Sequence, residues 1–354
     1  MNSGHSLGVI FSNDYLRLNF GPSHPFQPLR FIKIIDILKE HIQFDLIDPK
    51  KIDPHILVDL NIHSQEYIEI VKKCSNLKLE YLSKYSFDTP CFKGIYEWAL
   101  LYCGGAIAGC DLLLENAYQV VFNTVGGLHH AKYDEDGGFC VFNDCALALA
   151  YLFEKKQKVA YLDIDAHAGD GTYLILYDKP ILKISIHEDP RFLYPGRGFI
   201  HEVGENEGYG YTLNIPMPPG SGDENFINVI RQLVVPILKK FNPDFLIIQC
   251  GVDGFYLDPL SHLNYTHHGF LEFAKIIRKL KKSILLCSGG GYSKYVHYLH
   301  LIILGTLSYQ DEKIEKIIQH LDNILPKKDQ KTKDIENIIK KIQKNHPVFD
   351  ILNI

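Results

Sequence analysis

Five short apolar runs punctuate the chain, at residues 120–125, 159–162, 181–186, 245–249 and 284–287. Most are rich in Val, Ile and Leu, carry apolar residues at odd and even positions alike, and stop abruptly at Gly, Asp, His, Cys or Ser. A strand wetted on one face alternates apolar with polar; a strand covered on both faces does not. The runs therefore predict central strands of a parallel sheet. Helical spacing fills the gaps, over 96–115, 144–154, 223–240 and 270–281, the last with Phe270, Phe273, Ile277 and Leu280 on one face. Pro236 should kink or end its helix, because it lacks an N–H and its ring crowds the preceding turn. Strands alternating with helices imply an α/β domain built on a mainly parallel sheet.

From Asp311 the pattern changes. Ile314, Ile317, Ile318 and Leu321, then Ile335, Ile338, Ile339 and Ile342, recur at helical spacing, with Pro326 and a KKDQK stretch between them. This divides the chain into an α/β domain over 1–310 and a helical extension over 311–354 packed on it. The 354 residues carry 37 Lys+Arg against 42 Asp+Glu, a net charge of −5, which withholds the bulk attraction that non-specific nucleic-acid binding needs. No unbroken apolar run nears the ~20 residues of a membrane span. The longest, at 145–153, reads as buried helix. The first twenty residues lack a basic segment followed by an apolar one, so no signal peptide is read there. The eight cysteines form no C-x-x-C pair and most lie in apolar surroundings, which reads as buried free thiols in a reducing cytoplasm.

In an open parallel sheet, reactive groups gather beyond the carboxyl ends of the strands. The residues after these runs are GGLHHAKYDEDGGFC with His129 and His130, DIDAHAGDG with Asp163, Asp165, His167 and Asp170, then His187, CGVDGFYLDP with Asp253 and Asp258, and SGGGY ending at Tyr292. Asp165, His167 and Asp253 offer one imidazole and two carboxylates, and three protein ligands with an open position make a catalytic metal site. Asp165 and His167 are two apart, so on a regular strand they share a face. Any one of these residues alone could be an ordinary polar loop residue; five strand ends converging on Asp, His and Tyr favour a site. His187 reads as a structural histidine, His262, His267 and His268 as surface or cap residues, and His24 as a loop residue near the rim. The glycine runs lack the Walker lysine and the GxGxxG spacing, so they do not read as phosphate cradles.

These motifs, together with ISIHEDPRFLYPGRG, resemble the histone deacetylase superfamily, most closely its class I and bacterial acetoin-utilisation-type deacetylases, in order from about Gly21 to Tyr292. The resemblance implies the three-layer arginase–deacetylase fold, with an eight-stranded, mainly parallel central sheet flanked by helices. It implies a metal-dependent amidohydrolase, with Zn2+ (Fe2+ as the alternative) held by Asp165, His167 and Asp253. His129 and His130 would be tandem proton-handling histidines, paired with Asp163 and Asp170, and Tyr292 would donate to the developing oxyanion. Phe139 and Tyr194 would wall an acyl-lysine channel, with Gly138 on its floor and Leu260 at its rim. Asp88 would grip the substrate backbone, and Arg30 would stand near an acetate-release channel. A structural K+ would sit among the main-chain carbonyls of Asp163, Asp165 and His167 with Ser185.

The chemistry is arguable on the residues alone. Amide carbonyls and water react poorly at neutral pH, and a Lewis-acid metal improves both; imidazoles relay the protons, and a phenol steadies the oxyanion. Two positions depart from the family: Ala168 replaces a second histidine, and Leu257 a glycine. Gly169 and Phe255 stand where an arginase needs further aspartates, so a two-manganese guanidine hydrolase is disfavoured. The expected substrates are acyl-lysine proteins or peptides, or small acylated amines. Acetylpolyamine hydrolysis is the alternative activity, though polyamine enzymes tend to place an acidic residue at the Leu260 position. A weakly active deacetylase-like scaffold protein is the non-enzymatic alternative, kept in play by Ala168. No nucleic-acid or membrane partner is expected, and the pattern sets no oligomeric state.

Overall fold

The runs with apolar residues on both faces become inner strands of one sheet in a computed structural model that describes residues 7–82, 87–325 and 335–354. The strands are β1 (Leu7–Ile10), β2 (Asp45–Ile47), β3 (Val120–Asn123), β4 (Val159–Asp163), β5 (Leu182–Glu188), β6 (Thr212–Met217), β7 (Phe245–Gln249) and β8 (Ser283–Cys287). They lie in the order β2-β1-β3-β8-β7-β4-β5-β6, and every neighbouring pair is parallel. Phe122, Leu286, Ile248 and Leu162 share one register row across the four central strands, and Val121, Leu285, Ile247 and Tyr161 share the next. The two rows point to opposite faces and enter two separate hydrophobic clusters, one under each helical layer. That is why these runs do not alternate.

Three strands escape the pattern for physical reasons. β1 contains Gly8, β2 is a three-residue edge strand, and β6 lies at the other edge, where Pro216 costs little. The helix expected over 223–240 is instead Asp223–Val229 and Val235–Phe241, joined by a π turn, Ile230–Val234. Pro236 cannot donate to Gln232, and the wider turn accommodates the missing bond. The helix Ile95–Leu114 is apolar and long enough to cross a membrane, yet two-thirds of it is buried in the fold, and it packs under the sheet as a core helix.

In the tail, the helices Asp311–Ile324 and Glu336–Asn345 place Ile314, Ile317, Leu321, Ile339 and Ile342 in the same cluster as Ile248 and Leu286. Pro326 and the KKDQK stretch lie outside the described residues. The expectation of free thiols needs a correction: Cys74 and Cys91 form a disulfide, while Cys103, Cys110, Cys140, Cys145, Cys250 and Cys287 are free and buried. The bonded pair is 17 apart in sequence, so no short motif announces it.

One buried histidine gives the fold a pH signature. His63 accepts the Asn143 N–H on Nε2 at 2.9 Å, so its proton sits on Nδ1, which meets the Tyr133 carbonyl at 3.3 Å. Burial holds this neutral imidazole down at about 4. Between there and the usual 6.5 the unfolded chain binds the extra proton, so this contribution to stability is present above that window and is lost as pH falls through it. His63→Gln is expected to lose about 2 kcal/mol less stability than the parent between pH 7 and pH 5, measured by urea unfolding. Parallel losses in both proteins would refute the assignment.

Candidate active site

Strands β3, β8, β7 and β4 finish in one polar register row, Asn123, Cys287, Gln249 and Asp163. Asp165 and His167 lie beyond the strand end, as the run at 159–162 implies: β4 stops at Asp163, and both occupy the loop after it, where strand parity does not apply. Carboxylates fold that loop. Asp163 Oδ1 accepts the Asp165 N–H at 3.1 Å, and Asp165 Oδ1 accepts the His167 N–H at 3.0 Å, two successive Asx-type turns.

The loops then meet. His167 Nδ1 lies 3.0 Å from Asp165 Oδ1 and 3.0 Å from Asp253 Oδ2. The other oxygens are held by protein N–H groups: Asp253 Oδ1 by Ala166 at 2.7 Å, and Asp165 Oδ2 by Gln249 Nε2 at 2.8 Å and by Gly290 at 2.9 Å. Burial, and then the neighbouring Asp165, push Asp253 up to about 7. Two carboxylates almost out of water beside one imidazole leave negative charge unbalanced, and the three donor atoms lie within 4.8 Å of one another. Such a set fits a divalent cation.

His129 and His130 face each other through Nε2 at 3.1 Å, and each is backed by an aspartate. His129 Nδ1 is 2.7 Å from Asp163 Oδ2, and His130 Nδ1 is 2.8 Å from Asp170 Oδ1. Burial lowers both imidazoles, but for His129 the carboxylates of Asp163 and Asp165 outweigh it and hold the ring up at about 9. His130, burdened by burial and then by the His129 charge, falls to about 4. The two rings thus differ sharply in how readily they take a proton.

A narrow cavity reaches these groups, lined by Phe139, Gly138 and Tyr292 among others. Gly138 is at φ +50, and a Cβ there would come within 2.2 Å of the His130 ring. Phe139 packs edge-on against Tyr292, ring centres 5.9 Å apart. Asp88 Oδ2 accepts the Gly138 N–H at 3.2 Å, and Tyr194, partly exposed, packs edge-on to His130 at 5.0 Å. Neither Tyr194 nor the half-buried Leu260 lines the cavity among the described residues. Arg30 Nη2 donates to the Gly289 carbonyl at 2.8 Å, and Ser185 Oγ lies 2.8 Å from His187 Nδ1.

Known proteins resemble this chain in sequence and in fold. The histone deacetylase domain family matches residues 24–301. The acetoin utilization protein AcuC of Staphylococcus xylosus is 33% identical over 307 residues, covering 82% of this chain and 79% of that protein. Its counterpart in Bacillus subtilis (strain 168) is 35% identical over 298 residues, covering 80% and 76%. The chain belongs to the histone deacetylase family. Membership places it among deacetylases, enzymes that hydrolyse amides. The arginase–deacetylase fold is matched by the crystal structure of an acetylpolyamine aminohydrolase from Burkholderia pseudomallei, with a TM-score of 0.76 at 23% identity over 86% of this chain and 99% of that one.

Several supporting roles at this deacetylase site give no signal in the sequence, even where the residue itself, Asp258, stands out after a strand run. Gln249 bridges Asp165 and the Gly127 carbonyl (3.2 Å), yet reads only as the last residue of a strand. Tyr161 looks like a core aromatic, and its hydroxyl donates to Asp163 Oδ2 at 2.8 Å. Asp258 Oδ2 accepts the N–H groups of Tyr292 at 2.6 Å and Ser293 at 3.0 Å, fixing the turn that presents the tyrosine. Asp144 does the same for Gly127 and Leu128 before the tandem histidines. At the Ala168 departure, a Cβ on Gly198 would come within 2.8 Å of the alanine methyl, so the two backbones pack closely behind the loop of Asp165 and His167.

Proposed function

We propose that this protein is a metal-dependent amidohydrolase that removes acetyl or related acyl groups from lysine side chains or small acylated amines. The observation that carries the reading is the meeting of His167 with Asp165 and Asp253, at 3.0 Å each, beside a histidine pair backed by two aspartates. Asp165, His167 and Asp253 would hold the ion, Zn2+ or alternatively Fe2+. When bound, it supplies Lewis-acid chemistry, polarising an amide carbonyl and acidifying water.

The chain's own groups do the rest. Asp163 and Asp170 hold the Nδ1 sides of His129 and His130, so both Nε2 atoms turn inward. One imidazole takes the proton of the attacking water and an imidazolium returns one to the leaving amine, help typically worth about 10²–10⁴-fold. The Tyr292 hydroxyl donates to the carbonyl oxygen as it gains charge. Phe139 would wall the acyl chain, with Gly138 leaving room beneath it. Tyr194, outside the lined cavity but edge-on to the His130 and His167 rings, would close the other side, and Asp88 and Leu260 would meet the substrate at the rim. Leu260 offers no carboxylate to a distal cation, which supports acyl-lysine over polyamine substrates.

Gly138→Ala is expected to retain the metal and lose on the order of 10²-fold in kcat, because the added methyl must displace the His130 ring. Near-parental turnover in that variant would mean the ring is not held where the chemistry needs it. The whole reading is tested by profiling hydrolysis of acetyl-lysine peptides and acetylputrescine with Zn2+ and Fe2+ compared. Turnover of the peptides is expected. Activity on acetylputrescine alone would move the substrate class to polyamines, and inertness towards every acylated amine would leave the scaffold reading.

A further inference from the structure

The helix His267–Arg278 begins with two histidines that the catalytic reading leaves unused. Consecutive side chains on a helix diverge by about 100°, yet these two rings lie side by side, centres 4.1 Å apart with 38° between their planes. Both aim Nε2 at one atom, Oδ1 of Asp322, at 3.0 Å from His267 and 2.7 Å from His268. Asp322 comes from a different element, the tail helix Asp311–Ile324.

Helix capping does not account for this convergence. The His268 N–H already goes to Thr266 Oγ1 at 3.2 Å, and the Phe270 N–H to the Thr266 carbonyl at 3.3 Å. Asp223 takes the N–H and hydroxyl of Thr266, at 2.7 and 2.6 Å. The helix start is thus served by its own cap and by Asp223, and Asp322 meets the imidazoles instead.

The donor atoms of His267, His268 and Asp322 all lie within 4.8 Å of one another. Zinc–donor lengths of about 2.0–2.2 Å put tetrahedral ligands roughly 3.3 Å apart, so a small relaxation would admit an ion. The His267 side chain is 6% exposed and anchors the cluster, while those of His268 and Asp322, at 52% and 46%, leave a way in from solvent and room for water.

We propose that His267, His268 and Asp322 form a second metal site, for a divalent transition-metal ion of borderline softness such as Zn2+, which clamps the tail helix to the α/β layer. The proposal is independent of the active-site reading. Zn2+ is titrated calorimetrically into the full chain as purified, after its metal content has been measured. One binding event beyond the active-site equivalent is expected, weakened at least about tenfold in His268→Ala and in Asp322→Asn. Both substitutions are at exposed positions, and both variants should hydrolyse substrate at the parental rate. Excess Zn2+ should raise the thermal midpoint of the parent more than that of either variant. Identical isotherms in parent and variants, or no event beyond the active-site equivalent, would overturn the proposal.

Discussion

Replacing Asp253 with alanine is expected to remove the active-site metal and hydrolysis together. Asp253 is fully buried; one of its oxygens is committed to the Ala166 N–H at 2.7 Å and the other faces His167 at 3.0 Å. Its loss leaves two ligands where three converge. Groups that merely orient a ligand cost about 10–100-fold in metal affinity when mutated, and losing the ligand itself should cost more. Metal content per chain, measured by mass spectrometry after dialysis, should fall below about a tenth of the parental value, with turnover falling alongside. Asp253→Asn keeps an acceptor for Ala166 and so guards against misfolding as the explanation; it should show the same loss of metal in a chain of parental stability. A fully loaded, fully active Asp253→Ala protein would remove this residue from the ligand set.

How far the site was legible follows from how each residue is held. Asp163, Asp165, His167, Asp253 and Tyr292 stand out because they follow runs whose apolar residues occupy both parities, and in a parallel sheet such runs must end at a common edge. Their order along the chain also carries the family resemblance, which the matched domain at 24–301 bears out. Edge strands β2 and β6 were hidden: the first is short and half-exposed, and the second contains Pro216. Asp165 and His167 fall beyond the strand end, as the run at 159–162 implies, so strand parity does not govern how they meet. Periodicity says nothing about where pairing stops, and here Asx-type turns begin at Asp163 itself, the last strand residue.

The supporting polar groups were illegible for another reason. Gln249 and Tyr161 sit inside strands, where a glutamine or tyrosine is indistinguishable from ordinary sheet content until the register is known. Only the pairing of Asp163 with Gln249, and of Gln249 with Cys287, sets the glutamine beside the ligand loop. Nor could the sequence foresee the Cys74–Cys91 bond or the meeting of Asp322 with His267 and His268, since each joins segments that only the folded chain brings together.

Tyr292→Phe should show the opposite dissociation from Asp253→Ala: metal retained, rate lost. The turn before the tyrosine passes through Gly289 and Gly291 at φ +66 and +132, and Asp258 then clamps the Tyr292 and Ser293 N–H groups at 2.6 and 3.0 Å. The backbone position is therefore fixed without the side chain, and the ring is held edge-on to Phe139, a contact phenylalanine preserves. Only the hydroxyl goes. Burial, with Asp253 and Asp165 nearby, pushes that phenol well above its ordinary range, so it keeps its proton and acts as a donor. A donor aimed at charge that develops in the transition state contributes mostly to kcat, and losing one costs on the order of 10²–10³-fold. Turnover should fall by that amount, with KM within about threefold of the parent and metal content unchanged. A drop in metal content would make Tyr292 part of the ion's support, and undiminished turnover would remove it from the reaction; the predicted split between metal and rate distinguishes an oxyanion donor from either.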